Sequence, residues 1–206
     1  MLIQFLTAVG VLAVLTVVPG PDMAVVTRRA VASGRQDGLR TMGGITAGLL
    51  VWGVLTVVGL AAVLAASATA YTVVKLSGAV YLVVLGLQAL LHSRRGRSRT
   101  PAAALVTPRG NPWRTGLVSN VLNPKIAVFY TGLLPTLAPT GLSAHSGMAL
   151  LVLVHAMLTA VWLGLYVLLL SGTRSFFQKP AVRRGMDRVT GTVLIGCGLK
   201  MATTQP

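Results

Sequence analysis

An acid and a base each stand beside a proline inside a long apolar run. The first run reads VLTVVPGPDMAVV and carries Gly20-Pro21-Asp22; the second reads GLVSNVLNPKIAVFY and carries Asn123-Pro124-Lys125. A carboxylate in such a place binds an ammonium group or a proton, and an ammonium group binds a carboxylate. Placing Asp or Lys at the centre of a membrane-spanning helix costs about 2.5–3.5 kcal/mol. An ionisable residue at that depth is therefore read as functional, with its partner named. On this reading Asp22 receives a substrate ammonium or a coupling proton, and Lys125, with the helix start at Asn123, receives a substrate carboxylate. The competing reading is a buried salt bridge joining the two runs. The two are compatible if the pair closes on itself between transport events.

The prolines say how these residues are presented. Proline lacks a backbone N–H and clashes with the carbonyl four residues earlier, so each run is expected to break. Gly20 and Asn123 suit the N-cap, and Pro21 and Pro124 the first helical position. Each restarted helix then exposes free N–H groups and the positive end of its dipole. Asp22 agrees with that field and Lys125 opposes it, so Lys125 needs a compensating ligand or partner. Broken helices are tolerated in a membrane only where protein or a cavity surrounds them. A pair of them in corresponding halves points to a binding site.

Three further polar residues fall within apolar runs. Asn120 lies one turn before the second break and adds hydrogen-bonding capacity there. Lys75 sits about two turns, roughly 9 Å, into its helix; it either snorkels to the surface or lines the pathway. His155 either relays protons, with an unperturbed pKa of about 6.5, or is hydrogen-bonded into a helix bundle. Gly44 and Gly48 form a small-xxx-small face that lets membrane helices approach closely.

The elements that must position these groups follow from composition. The chain has 206 residues, 54% of them hydrophobic, and only three acids, Asp22, Asp37 and Asp187, against 18 Lys and Arg. A span needs about 20 apolar residues. Six runs qualify: 4–27, 42–66, 69–91, 114–136, 147–171 and 186–204. The N-terminal run has no preceding Lys or Arg and no small-x-small cleavage pattern, so it is expected to be retained rather than cleaved as a signal. The +15 formal charge sits between these runs rather than on one face of a soluble module, which argues for lipid headgroups rather than nucleic acid as its partner. Connections one, three and five are rich in Arg, whereas two and four carry neither Lys nor Arg. The positive-inside rule then puts the basic loops in the cytoplasm and both termini outside the cytoplasmic membrane.

The resulting expectation is an all-α integral membrane protein of one domain, 1–206. It has a three-helix repeat at 1–91, a basic linker at 92–113 and a second three-helix repeat at 114–206. The first and fourth helices are Pro-broken. KLSGAVYLVVLGLQAL and RVTGTVLIGCGLKM, which close the two repeats, align Lys75 with Arg188 and Gly78 with Gly191. Three spans per half make the repeats inverted with respect to the membrane.

The PGPD segment, the Gly-rich GGITAGLLVWG, the KLSGAVYLVVLG helix and the NPK segment together resemble the LysE/RhtB superfamily of amino-acid exporters. The resemblance covers nearly the whole chain. It implies export of amino acids or related metabolites driven by the proton-motive force, and self-association into a homo-oligomer.

Other classes fit less well. A divalent-cation exporter, known among distant members of that superfamily, wants several oxygen ligands, and only one acid lies within a span. Three dispersed His residues and a single Cys make no metal site. No nucleophile–base spacing or phosphate-cradling loop suggests an enzyme, and no cofactor or ATP motif is present. An accessory membrane subunit would leave the two charged breaks unexplained.

Overall fold

A computed structural model describes residues 2–66, 68–95, 110–139 and 141–203. All secondary structure among them is helical. The order is α1 (Leu2–Val17), α2 (Pro21–Ser33), α3 (Arg35–Ala66), α4 (Ala68–Arg95), α5 (Pro112–Val121), α6 (Pro124–Val128), α7 (Ala144–Gln178) and α8 (Pro180–Thr203). The chain of α6 continues without a gap through a wide π turn, Phe129–Leu133, and a tight 3₁₀ turn, Leu134–Leu137. Pro135 accounts for the change of winding, because it cannot donate to the carbonyl four residues earlier.

The broken runs appear as expected, with α1 and α2 meeting at an angle of 47° across Val18-Pro19-Gly20. The first basic connection differs from expectation. Arg28 and Arg29 belong to the last turns of α2, and Arg35 and Arg40 to the first turns of α3. Arginine is a good helix former, and Asp37 favours the positive end of α3 while pairing with Arg40 at 3.4 Å. What separates the two helices is Gly34 alone, whose φ of 89° lies in the region that glycine tolerates. The short turn between the second and third runs contains Ser67, and most of the linker, 96–109, lies outside the described residues.

Among the described residues, Arg35–Gly59 and Ala144–Leu170 are long and apolar enough to cross a membrane singly, and the bent α1–α2 pair makes a third span if counted as one. The exposed faces agree with lipid contact. Val73, Leu76, Val80, Val84, Leu87 and Leu91 form a continuous exposed stripe along α4, and Leu153, Met157, Val161, Leu165 and Leu168 form another along α7. Large apolar stripes at helical spacing on the outside of a bundle mark a surface that water does not cover.

Among the described residues the inside holds two large apolar clusters and a small one around Met148. One gathers Leu12 and Leu15 of α1, Leu82 of α4, Phe129 and Leu133 of the π turn and Leu151 of α7. The other gathers Met23 and Val26 of α2, Ile45 of α3 and Leu163, Tyr166 and Val167 of α7. Leu15 and Leu49 of the first cluster and Met23 and Leu163 of the second line one cavity together with Gly20 and Asn123 of the breaks. Close backbone contacts hold the frame. A Cβ on Gly44 would collide with the Trp113 carbonyl, one on Gly116 with the Thr41 carbonyl, and one on Gly48 would sit 2.7 Å from Asn120 Oδ1. The small-residue face of α3 thus serves to seat α5. Gly86 and Gly191 do the same for α4 against α8.

Candidate functional site

At the first break, Val18 N–H still donates to Val14 O at 3.1 Å, and then the ladder stops. Gly20 takes the N-cap position of α2 in an extended conformation, Pro21 follows as the first helical residue, and Gly20 O accepts from Ala24 N at 3.1 Å. At the second break, Asn123 is the N-cap of α6 and Pro124 its first residue. Asn123 Oδ1 accepts from Lys125 N at 3.1 Å, so the helix start is closed by its own cap. Trp52 Nε1 donates to Val121 O at 3.2 Å and satisfies one carbonyl at the end of α5.

The two breaks exchange their charged side chains. Asp22, the second residue of α2, reaches the end of α5: its Oδ2 accepts from Asn120 Nδ2 at 2.9 Å and Asn123 Nδ2 at 3.1 Å, and its Oδ1 from Ser119 Oγ at 3.2 Å. Lys125 reaches the end of α1, where Nζ donates to Leu15 O at 3.2 Å. Leu15 is among the last four residues of α1, whose carbonyls lack helical partners and carry the negative end of the dipole. Lys125 therefore opposes the field of its own helix and is stabilised by that of another.

Both charges line one partly open cavity of about 40 Å³, yet no ion pair within 4.0 Å joins them. The salt bridge between the runs is not made. Each charge instead rests on neutral dipoles and keeps unused capacity: an ionised carboxylate accepts about four hydrogen bonds and an ammonium donates three.

His155 also lines the cavity. It is buried, hydrogen-bonded through Nδ1 to the Tyr130 hydroxyl at 3.2 Å and stacked on that ring at 5.7 Å. Of the two readings of His155, the geometry gives it a hydrogen-bonded place in the bundle. Asn120 is fully buried against Asp22. Lys75 lies in α4, and its side chain is outside the described residues. Arg188, aligned with it across the halves, donates from Nε to Ser93 Oγ at 3.0 Å, joining α8 to α4.

Four contributors were not singled out from sequence. Ser119 carried a signal, being adjacent to Asn120 in the interrupted run. Thr159, one turn after His155, is a polar residue in an apolar helix. Tyr130 is placed by the π turn, and the Leu15 carbonyl is a backbone group that any residue supplies.

A family model of the LysE type translocator matches residues 13–205. The chain belongs to this family. The threonine efflux protein of Escherichia coli K12 is 27% identical, with 98% of each chain covered. A leucine efflux protein of Salmonella choleraesuis is 24% identical over 93% of this chain and 91% of its own. The membrane protein YrhP of Bacillus subtilis, of uncharacterised function, is 23% identical over 96% and 97%. No solved structure matches. The chain is accordingly a membrane transporter, and both helix breaks with their exchanged charges lie within the matched region.

Proposed function

We propose that the protein is a secondary transporter that exports amino acids or related small metabolites across the cytoplasmic membrane, driven by the proton-motive force. The observation that carries this reading is the exchange at the breaks: Asp22 and Lys125 face one cavity with no ion pair within 4.0 Å between them. An amino acid in water carries one ammonium and one carboxylate, the complements of these two groups. The ammonium, or a proton on the return step, goes to Asp22, and the carboxylate goes to Lys125. Asn120, Asn123 and Ser119 hold Asp22 in position, with Gly20, Pro21 and Pro124 shaping the breaks.

A cavity of this kind needs roughly 10–15 Å³ per water, so 40 Å³ has room for a few waters and not for an amino acid. Binding then requires the half-helices to part, which breaks at Pro and Gly permit without unravelling regular helix. The bonds to be traded are few: one from Lys125 and three to Asp22.

Two inverted three-helix repeats, with six spans, give such movement a symmetric basis. The helix pairings support them. With each broken helix taken as one unit, α1 with α2 and α5 with α6 and the π turn, exchanging the halves maps the α3–α5 contact onto α7 against α1 and α2, and the contacts of α4 with α6 and the π turn onto α1–α8. It leaves α3–α7, α2–α5 and α4–α8 as self-pairs. Lys75 in α4 is kept as a pathway candidate on this basis. A divalent-cation exporter is less well supported, because no three His, Cys, Asp or Glu gather among the described residues.

The test is counterflow in proteoliposomes with labelled amino acids at an imposed pH gradient. Exchange that responds to the gradient supports the reading, and its absence for every amino acid would refute it.

A further inference from the structure

Away from the breaks, the basic ends of α4 and α8 meet. The two helices approach backbone to backbone at their glycines: a Cβ on Gly86 would lie 2.7 Å from Gly191 O, and one on Gly198 2.8 Å from Ala79 O. Toward the end of α4 a groove of about 520 Å³ opens between them. It is lined by Ser93 of α4 and by Ala181, Arg184, Gly185 and Arg188 of α8. At 100° per residue those four α8 positions share one face, and Asp187 falls about 60° beyond its edge. A Cβ on Gly185 would meet nothing within 4 Å.

We infer that this groove binds the phosphate of an anionic phospholipid headgroup. A guanidinium is a planar fork that pairs with phosphate oxygens through two N–H groups. Arg188 is aimed by its Nε bond to Ser93 Oγ at 3.0 Å, and Ser93 is buried. That bond uses one of the five N–H donors of the guanidinium. Arg184 stands one turn away, about 6 Å along the axis, and both arginines are exposed. Like charges at this spacing repel, and a bound anion relieves the repulsion. A lipid headgroup and free phosphate share this chemistry, and position decides between them. α4 closes on Ser93-Arg94-Arg95 and α8 opens with Arg183 and Arg184, charges that the positive-inside pattern sets at the cytoplasmic interface. Exposed apolar side chains begin at once beyond them: Leu91, Leu87 and Val84 on α4 and Val189 on α8. From Leu91 back to Val80 that surface is about 17 Å long, roughly the 15 Å hydrocarbon depth of one leaflet. A lipid uses the cations for its headgroup and the stripe for its chains; free phosphate uses only the cations.

Native mass spectrometry of the purified protein, titrated with phosphatidylglycerol or phosphatidylcholine, counts bound lipid directly. The wild type is expected to prefer phosphatidylglycerol, whose phosphate keeps its charge, over phosphatidylcholine, whose phosphate is offset by choline. Arg184→Gln keeps the Arg188–Ser93 bond and is expected to weaken phosphatidylglycerol binding about fivefold, the contribution of one arginine at an anionic surface. Gly185→Leu keeps every charge and fills the groove, and a similar loss is expected. Arg28→Gln removes the same charge from an exposed position on α2 and should change binding by less than about twofold.

Equal binding of the two lipids by the wild type, unchanged binding in both groove variants, or an equal loss in Arg28→Gln would overturn the site. Free phosphate is tested as the other source by adding inorganic phosphate, against chloride at equal ionic strength. Phosphatidylglycerol is expected to stay bound in both salts. Its displacement by phosphate and not by chloride would overturn the lipid assignment. Where Arg184→Gln fails to fold, Gly185→Leu against the wild type decides.

Discussion

Lys125 Nζ lies 3.2 Å from the carbonyl oxygen of Leu15, 110 positions earlier in the chain. That contact resolves the electrostatic problem of a lysine at the start of a helix. The negative end of α1 supplies what the positive end of α6 withholds. It also joins the three hydrogen bonds to Asp22 in tying the second break to the first.

Removing the ammonium tests this directly. Lys125→Met keeps the length of the side chain and loses the charge. A charge-assisted hydrogen bond contributes about 1.5–3 kcal/mol, so the apparent affinity for substrate should fall by roughly tenfold to a hundredfold. Substrate binding to the purified variant, measured by scintillation proximity, checks it. Unchanged affinity would remove Lys125 from the site.

Asp22→Asn replaces an acceptor that takes three hydrogen bonds with an amide that presents a donor to some of the same groups. Transport should drop by at least about tenfold, since the site loses its negative charge and the hydrogen bonds from Asn120 and Asn123 lose their charged acceptor. Size-exclusion behaviour in detergent should remain monodisperse, because the change is local to one side chain.

Gly48 couples packing to the site. A methyl group there meets Asn120 Oδ1 and Cβ at 2.7 and 2.8 Å, and Asn120 holds Asp22. Gly48→Ala should destabilise the protein by about 1–3 kcal/mol through overpacking and lower transport with it. Gly59→Ala, on the same helix with nothing within 4 Å of the new methyl, should change neither. Thermal unfolding of the two variants in detergent makes the comparison.

Tyr130→Phe leaves His155 Nδ1 without its hydroxyl partner. A buried polar group so orphaned costs about 1–3 kcal/mol. Lower thermal stability is expected, with transport retained at the same pH optimum. A shifted optimum would restore the proton-relay role for His155.

The breaks and their caps were legible in the sequence, because proline and asparagine act locally through a missing donor and a side-chain acceptor, whereas the salt bridge weighed between the two charges is not made. The glycine face of α3 was legible too, although its partner helix was not. Other features depend on tertiary placement. Nothing local says that Lys125 will meet a backbone carbonyl of α1, since a carbonyl has no residue identity. Nor does composition tell that Arg28, Arg29, Arg35 and Arg40 extend helices rather than form a loop; charge patterning reads which side of the membrane a residue faces, not whether its backbone is coiled.

The central claim is that Asp22 and Lys125 act on one substrate. A double-mutant cycle in counterflow tests it most directly, comparing wild type, Asp22→Asn, Lys125→Met and the double variant with a neutral amino acid. Groups that act as a unit are strongly non-additive. The account predicts that each single variant loses most of the exchange and that the double variant is little worse than either. Normal exchange in both single variants, or losses that simply multiply, would contradict it.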